Sequence, residues 1–382
     1  MENHRGPHQL TSTRGQTRIP GIDVMRGIAI FFVLMNHVNI RLLINKVPYR
    51  QCIPKQLIGP LVWNGQNGVQ IFFAISGFLI ASMTLRRWGS LSDVGLRDFY
   101  LFRFARIAPL LLLLLAVLSI LHLAGWPAYV ISPARGGLGR ALLAALTFHI
   151  NVLEASRGYL PPSWDILWSL SVEEVFYLGF PIACAFLSKG KLLPVVLSAF
   201  VVIGPFARVF AHKEIWREYS YLGSMDAIAL GCLTAIFLNR RTLTPHTRLA
   251  LKSAGVALMI FILGFPTQAA NWGIERVGLD MSILAFGTCM IIAATAQDTH
   301  AGVPVLAALR WLGQRSYEVY LTHIFVVLGL LSVFLLAGKP LRGVAPYFIA
   351  TVIFSGILGE LVARFYSEPM NRLLRTRFRS AS

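Results

Sequence analysis

The chain has 382 residues, of which 55% are hydrophobic and only 14% are charged, and its mean hydropathy is +0.63. Because a soluble domain carries roughly 25% charged residues, this composition excludes an ordinary soluble protein and indicates one that uses lipid as its solvent. Despite the net charge of +18, we expect no nucleic-acid partner, since the basic residues lie mostly in loops between apolar segments and no basic stretch is interleaved with aromatic residues.

Apolar runs long enough to cross a hydrocarbon core of about 30 Å recur along the chain. They predict an all-α, polytopic membrane helical bundle of about ten transmembrane helices, at residues 20–44, 68–85, 105–124, 165–187, 192–210, 222–238, 248–266, 279–297, 316–337 and 345–366. The apolar segment 138–153 is shorter and flanked by glycine. We therefore expect it to form an interfacial or re-entrant helix.

The distribution of Lys and Arg predicts the orientation of the bundle. These residues are more numerous in the segments that a cytoplasmic N-terminus places inside, and an even number of spans returns the C-terminus to that side. We expect residues 1–18 to form a cytoplasmic tail, residues 19–370 a domain in the cytoplasmic membrane, and residues 371–382 a basic cytoplasmic tail against acidic lipid. The first span contains Arg26 and lacks a small-residue cleavage site, so we expect it to remain uncleaved.

The first span contains polar residues that are rare in an apolar helix, among them Asp23, Arg26, Asn36 and His37. Charge inside a membrane is costly enough to indicate function. Eleven residues separate Arg26 from His37, which places them on the same face and roughly 16 Å apart along the axis. The pattern predicts a fixed cation near the inner surface, with Asp23 as its partner, and a titratable imidazole near mid-depth. A snorkelling arginine and a packing histidine are the alternative.

In the second span, Ser76 and Gly77 interrupt an apolar run. Gly77 and Ala81 have the small-xxx-small spacing of closely packed membrane helices, so packing is the favoured role of this segment. An acylated Ser76 nucleophile is the alternative, but no GxSxG sequence surrounds this serine.

Arg103 and Arg106 lie three residues apart at the start of the third span. Guanidinium groups at adjacent helical positions can bind phosphates bidentately. The pair therefore predicts a site for an anionic donor at the cytoplasmic edge. Ordinary anchoring by positive residues on the inner side is the alternative.

The fourth span carries Ser169, Glu173 and Tyr177 at intervals of four residues, and thus on one helix face. Glu173 and its neighbour Glu174 both enter a membrane helix and need partners. We expect Glu173 to face the bundle interior and Glu174 to face a neighbouring helix or the interface. A structural ion pair with an arginine is the alternative role.

The later spans add weaker candidates, namely Asp226 in the sixth, Ser316 and His323 on one face of the ninth, and Glu368 at the end of the tenth. His323 is more typical of a packing or hydrogen-bonding histidine than of a ligand, because no second His or Cys has metal-ligand spacing. HExxH, P-loop and GxGxxG sequences do not occur. We predict neither a metal site nor a bound cofactor.

Taken in chain order, these segments resemble the acyltransferase-3 family of integral-membrane acyltransferases. The matching stretches are IDVMRGIAIFFVLMNH, FFAISGFLI, RFARIAP, WSLSVEEVFYL, SYEVYLTH and a final SEP. They extend from residue 19 to about residue 370 in the family order, which makes the resemblance specific. Two positions depart from the family pattern: Val175 replaces the usual Gln, and Met225 precedes Asp226 where many members have Arg-Leu-Asp, which puts a role for that arginine in doubt.

The resemblance implies an O-acyltransferase that uses acyl-CoA as a co-substrate from the cytoplasm, with acetyl as the expected acyl group. The acceptor it implies is a hydroxyl of a carbohydrate, glycolipid or polysaccharide at the outer side of the cytoplasmic membrane. We also expect no appended hydrolase-like domain after residue 370.

Acyl transfer from a thioester to an alcohol needs a base, and a histidine with a pKa near neutral pH suits that task. We predict His37 as the general base, Glu173 as the group that orients it, and Arg26 as a catalytic cation. Arg103 and Arg106 are predicted to bind the donor. The predicted supporting residues are Asp23, Ser76, Ser169, Tyr177, Ser316 and His323.

A secondary transporter and a glycan permease without acyl transfer are the alternative functions. Ten spans with buried Arg, Glu and His also suit proton-coupled translocation. Neither an internal repeat nor a pair of interrupted helices is found in the sequence to support a transporter.

Overall fold

The computed structural model describes residues 19–52, 54–189, 192–297 and 303–380. Ten long helices run Pro20–Ile44 (α1), Gly65–Trp88 (α2), Leu96–Leu123 (α3), Leu167–Leu187 (α4), Leu192–Val209 (α5), Tyr221–Leu238 (α6), Pro245–Gly264 (α7), Asp280–Thr295 (α8), Ser316–Leu336 (α9) and Val344–Val362 (α10). No β-strand occurs in the described residues, and the predicted all-α class is confirmed. The predicted tail at residues 1–18 lies outside them.

In the described part of the chain, nine helical segments are long and apolar enough to cross a membrane, and α8 is an apolar helix of only 16 residues. At 1.5 Å per residue α8 measures about 24 Å, less than the roughly 30 Å hydrocarbon core. The predicted multi-pass helical bundle is confirmed, while the predicted eighth span is shorter than expected. α8 packs tightly on α7, since a Cβ added to Gly255 would lie 2.6 Å from the carbonyl oxygen of Gly287.

Local sequence explains where several helices begin. The Ser220 hydroxyl accepts the Gly223 N–H at the start of α6 (3.0 Å), and the Thr244 hydroxyl accepts the Thr247 N–H at the start of α7 (3.2 Å). Such caps satisfy backbone donors that have no partner within the helix. Pro20 occupies the first turn of α1, where a missing N–H leaves no hydrogen bond unmade.

The segment between α3 and α4 forms short helices at one end of the bundle. The apolar residues 138–153 are divided between Gly137–Leu146 and Ile150–Arg157, and Phe148 between them has φ = 57°. Neither piece is long enough to span a membrane. In the second piece the completely buried Glu154 accepts the Leu160 N–H (2.9 Å), and burial raises the pKa of its carboxyl well above the usual range.

The C-terminal residues form a helix where the sequence predicts a tail. A π-helical turn, Ala363–Ser367, follows α10 and leads into the amphipathic helix Glu368–Ser380. This helix packs along α3, where the Arg375 guanidinium lies 5.2 Å from the centre of the Phe102 ring. Residues 381–382 lie outside the described residues.

α2 and α6 cross in close contact at two glycines. A Cβ added to Gly77 would lie 1.9 Å from the carbonyl oxygen of Ile228, and one added to Gly231 would lie 2.0 Å from that of Ala74. The Cys232 thiol donates to the Gly77 carbonyl (3.2 Å) at the same crossing. Close packing at Gly77, the favoured role in the sequence, is therefore confirmed.

Gly231→Ala is expected to lower the melting temperature and the yield of folded protein, because backbone atoms occupy the place of the added methyl. Overpacking of this kind costs about 1–3 kcal/mol or more. The matched control is Gly179→Ala in α4, where an added Cβ meets nothing within 4 Å and alanine favours the helix. Thermal unfolding of the purified variants in detergent measures the difference. Equal melting temperatures would contradict the close crossing.

Candidate active site

Glu173 on α4 is the centre of a cluster of polar side chains. The Tyr177 hydroxyl donates to Glu173 Oε1 (2.5 Å), and the Ser76 hydroxyl of α2 donates to the same oxygen. Arg103 Nη2 of α3 lies 3.1 Å from it. The structure thus brings together four residues that the sequence singles out, from three helices.

Glu174 is the more deeply buried of the two neighbouring glutamates, with 7% of its side chain exposed against 27% for Glu173. Its Oε1 lies 3.3 Å from Arg103 Nη2, and the guanidinium carbon lies 3.4 Å from the centre of the Tyr177 ring. One arginine therefore serves two adjacent carboxylates. Glu174 thus faces the neighbouring helix α3, as expected, and it is the more buried of the two glutamates.

Arg106 takes a different direction from Arg103. Its Nη1 lies 3.4 Å from Glu318 Oε1 on α9, a side chain that is only 2% exposed. Its guanidinium also lies over the Tyr317 ring, 5.0 Å from the centre. The two arginines therefore face carboxylates on two different helices, α4 and α9.

Arg26 lies close to Arg106. Its Nε donates to the Ser316 hydroxyl (3.0 Å), and its electrostatic neighbours include Arg106, Asp23 and Glu318. Asp23, the predicted partner of Arg26, accepts a hydrogen bond from Gln314 (3.2 Å). Arg26 and Arg106 thus share the neighbourhood of one buried carboxylate, where the donors that remain on the two guanidinium groups can bind an anion.

His37 on α1 meets His323 on α9, with ring centres 4.9 Å apart and planes inclined by 54°. His323 Nδ1 lies 2.8 Å from the carbonyl oxygen of Tyr320 and 3.2 Å from that of Val319. Since a carbonyl only accepts, Nδ1 carries the hydrogen and donates. The buried Nε2 has no hydrogen-bond partner in the described chain. The hydrogen-bonding role favoured for His323 is confirmed.

The predicted contact between Glu173 and His37 is replaced by other pairs. Glu173 is held by Ser76, Tyr177 and Arg103, whereas the ring beside His37 is that of His323. The physical reason is the permanent positive charge of Arg103, which attracts a carboxylate more strongly than an uncharged imidazole does.

Ser169 joins the site through a residue that the sequence analysis missed. Its hydroxyl lies 2.6 Å from the hydroxyl of Tyr320, one turn before His323 on α9. Glu318, the partner of Arg106, was also missed. A carboxylate inside an apolar helix is itself a signal of function, so Glu318 was open to detection in the sequence.

Asp226 belongs to a separate polar cluster between α2, α5, α6 and α8. It accepts hydrogen bonds from Arg208 Nη2 (2.8 Å), from Gln70 Nε2 (3.1 Å) and from the Ser282 hydroxyl. The Arg208 and Asp226 side chains are 8% and 0% exposed. This chain lacks the arginine that many family members carry in the sequence just before this aspartate. The arginine that contacts Asp226 is instead Arg208 of α5. Arg208 was missed because it lies near a helix end, where positive residues are common.

Comparisons with known proteins give one family model and several curated relatives. The acyltransferase-3 model, described as an acyltransferase domain, matches residues 19–360. The chain is 24% identical over 375 residues to the O-acetyltransferase OatA of Staphylococcus aureus, in an alignment that covers 93% of this chain and 57% of the relative. No solved structure matches the chain.

Two further relatives carry acceptor names. The chain is 25% identical over 389 residues to the peptidoglycan O-acetyltransferase OatA of Listeria monocytogenes, covering 95% of this chain and 57% of the relative. It is 25% identical over 381 residues to the putative peptidoglycan O-acetyltransferase YrhL of Bacillus subtilis, covering 94% and 56%. The chain therefore spans little more than half the length of these relatives.

Proposed function

Because the chain belongs to the acyltransferase-3 family, whose model matches residues 19–360, we propose that it is a membrane O-acyltransferase. It moves an acyl group, acetyl by analogy with its relatives, from cytoplasmic acyl-CoA to a carbohydrate hydroxyl at the other face of the membrane. The observation that carries this proposal is the contact of His37 with His323 in the bundle interior. His37 lies on the same helix as Arg26. The names of the relatives support an acetyl group and a glycan acceptor.

In the proposed reaction, His37 removes the proton of the acceptor hydroxyl while its oxygen attacks the thioester carbonyl carbon. The tetrahedral intermediate then expels the CoA thiolate, which takes the same proton back from His37. A C–O bond forms, a C–S bond breaks, and no net proton is released. His323, fixed by its Nδ1–H hydrogen bonds to the backbone, holds the His37 ring in place.

The separation of Arg26 from His37 along α1, roughly 16 Å, suits an extended donor. The anionic end of acyl-CoA lies near Arg26 in this proposal, and its thioester lies at His37. The exposed Arg86 and Arg97, at the adjoining ends of α2 and α3, add positive charge on the side from which the donor enters. We take this arginine-rich end as the cytoplasmic one, with both termini inside.

Arg106→Ala is expected to raise the KM for acyl-CoA by about tenfold or more, the usual effect of losing a charged hydrogen bond, and to change the acceptor KM much less. Arg106 is 31% exposed and makes one ion pair of 3.4 Å in the described chain, so donors remain for a phosphate. Arg106→Lys is expected to recover part of the affinity, because a point charge lacks the fork geometry.

The comparison for this prediction is Arg103→Ala, which removes the arginine shared by Glu173 and the buried Glu174. In Arg106→Ala, by contrast, the buried Glu318 keeps the charge of Arg26 nearby. The Arg103→Ala variant is expected to lose folded yield first, since an uncompensated buried charge is strongly destabilising. Steady-state kinetics with each substrate varied in turn measure the effects. An unchanged KM for acyl-CoA in well-folded Arg106→Ala would remove this arginine from the donor site.

The proposed function is tested by incubating the purified full chain in detergent with radiolabelled acetyl-CoA and chitotetraose, a soluble neutral saccharide. An acyltransferase releases free CoA thiol and places the label on the saccharide in equal amounts. A transporter or a permease leaves the thioester intact. Folded protein that neither consumes the thioester nor labels the saccharide would refute the proposal.

A further inference from the structure

A polar cavity of about 640 Å³ lies at the end of the bundle away from the arginine-rich end. It is lined by residues of α2, α5, α6 and α8 and of the short helices Glu214–Tyr219 and Pro266–Asn271. Gln66 in the first turn of α2 lines it, whereas Arg86 lies in the last turn of the same helix. Twenty residues correspond to about 30 Å, the thickness of the hydrocarbon core. We call it the Gln66 cavity.

The Gln66 cavity lies at the level of His37. The first residue of α2, Gly65, packs directly on Asn36, since a Cβ added to Gly65 would lie 2.4 Å from Asn36 Nδ2. Asn36 immediately precedes His37 in α1. The first turn of α2, whose Gln66 lines the cavity, therefore lies between the cavity and α1 at the height of the proposed base.

The floor of the Gln66 cavity presents an amide oxygen and a hydroxyl that bind no other described residue. They belong to Gln70 and Ser224, which line the cavity and are both only 2% exposed. Gln70 Nε2 donates to Asp226, whereas Gln70 Oε1 and the Ser224 hydroxyl are not among the fully enclosed polar atoms of the described chain. A ligand in the cavity can therefore donate a hydrogen bond to the amide oxygen and exchange one with the hydroxyl, as an alcohol does.

The charges that line the Gln66 cavity balance one another. Three arginines and three acidic residues contribute, and they are Arg208, Arg217, Arg276, Glu218, Glu275 and Asp280. With the buried Asp226, which pairs with Arg208, four acidic side chains stand against three arginines. Such a lining offers no net attraction for the phosphates of CoA, and it matches an uncharged ligand with many hydroxyl groups.

We propose that the Gln66 cavity is the acceptor site and that it binds an uncharged saccharide with one hydroxyl directed towards His37. This inference rests on the proposed acyl transfer, because it identifies where and in what chemical form the acceptor of that reaction binds. The donor and the acceptor then approach His37 from opposite faces of the membrane.

Ser224→Ala is expected to raise the KM for chitotetraose about 3- to 10-fold, the usual effect of one lost hydrogen bond. The KM for acetyl-CoA and kcat are expected to stay unchanged, since this hydroxyl binds no other described residue. Ser332→Ala is the matched control, because the Ser332 hydroxyl bonds only its own helix, at Leu328 (3.0 Å). An unchanged KM for chitotetraose in Ser224→Ala would overturn the proposal.

A second experiment does not depend on turnover. Asn271→Cys places a thiol on the exposed rim of the cavity, in a chain that also carries Cys52→Ser, and maleimide labelling of the intact protein is followed. Chitotetraose is expected to slow labelling, and Ser224→Ala to weaken this protection. Protection by acetyl-CoA instead of the saccharide, or by neither, would overturn the proposal.

The two experiments separate the failure of this inference from the failure of the proposed function. Acyl transfer by the wild type without saccharide protection would leave the enzyme in place and remove the cavity as its acceptor site. Saccharide protection without any loss of thioester would support the binding site and refute the acyltransferase.

Discussion

His37→Ala is expected to lower turnover by about 100-fold or more, the usual effect of losing a general base. The alanine variant has no group on α1 that can take the proton of the acceptor hydroxyl, and His323 is held by its backbone hydrogen bonds beside the vacated position. Membrane insertion is expected to stay intact, because removing a polar group from an apolar helix lowers the cost of insertion.

The control for this prediction is His246→Ala, which removes an exposed histidine at the start of α7. It is expected to leave turnover unchanged. Both variants are purified in detergent, their yields and elution profiles are compared, and acyl transfer is measured with both substrates at saturation. Near-normal turnover by well-folded His37→Ala would make His37 a packing residue.

Asp226→Ala is expected to destabilise the folded protein by about 3–5 kcal/mol, because it leaves the Arg208 guanidinium buried without its carboxylate. The two side chains are 0% and 8% exposed and their charged atoms lie 2.8 Å apart. The double variant Arg208→Met with Asp226→Leu is expected to recover most of the loss, since an apolar pair of similar size removes both buried charges.

The control is Arg87→Ala, which breaks the ion pair of 3.5 Å with Asp98, whose partners are 36% and 47% exposed. Exposed pairs contribute about 1 kcal/mol or less. Thermal unfolding and folded yield in detergent measure the series. If Asp226→Ala and Arg87→Ala had equal effects, the buried pair would not be a main support of the bundle.

The helices were predictable because a membrane-spanning helix needs an apolar run that matches the thickness of the hydrocarbon core. The length of such a run can be read from the local sequence alone. α1 begins and ends where the hydropathy predicts, at Pro20–Ile44. α8 was predicted too long, because the helix begins after Leu279 and ends at Thr295, before Ala296 and Gln297, and average hydropathy does not fix helix ends to the residue. The break between the two short helices at Phe148 depends on a left-handed backbone conformation. Phenylalanine does not favour this conformation, so the sequence did not predict the break.

The site was predictable only in part. Spacing along a helix gives the face and the depth of a side chain, but it does not tell which other helix packs against that face. Arg26 and His37 were found from their depth in one helix. The partner of His37 is 286 positions away, at His323, and no spacing reports that neighbour. Glu173 was likewise placed correctly on its helix, but its ionic partner is Arg103 of α3 and not the predicted His37.

The transfer of an acyl group across the membrane is tested most directly in sealed proteoliposomes that contain the full chain, with labelled acetyl-CoA trapped inside and chitotetraose only outside. Labelled saccharide is expected to accumulate outside while free CoA thiol accumulates inside, and His37→Ala is expected to abolish both. If ester forms only when the two substrates are on the same side of the membrane, the donor and the acceptor do not approach His37 from opposite faces, and the proposed arrangement is contradicted.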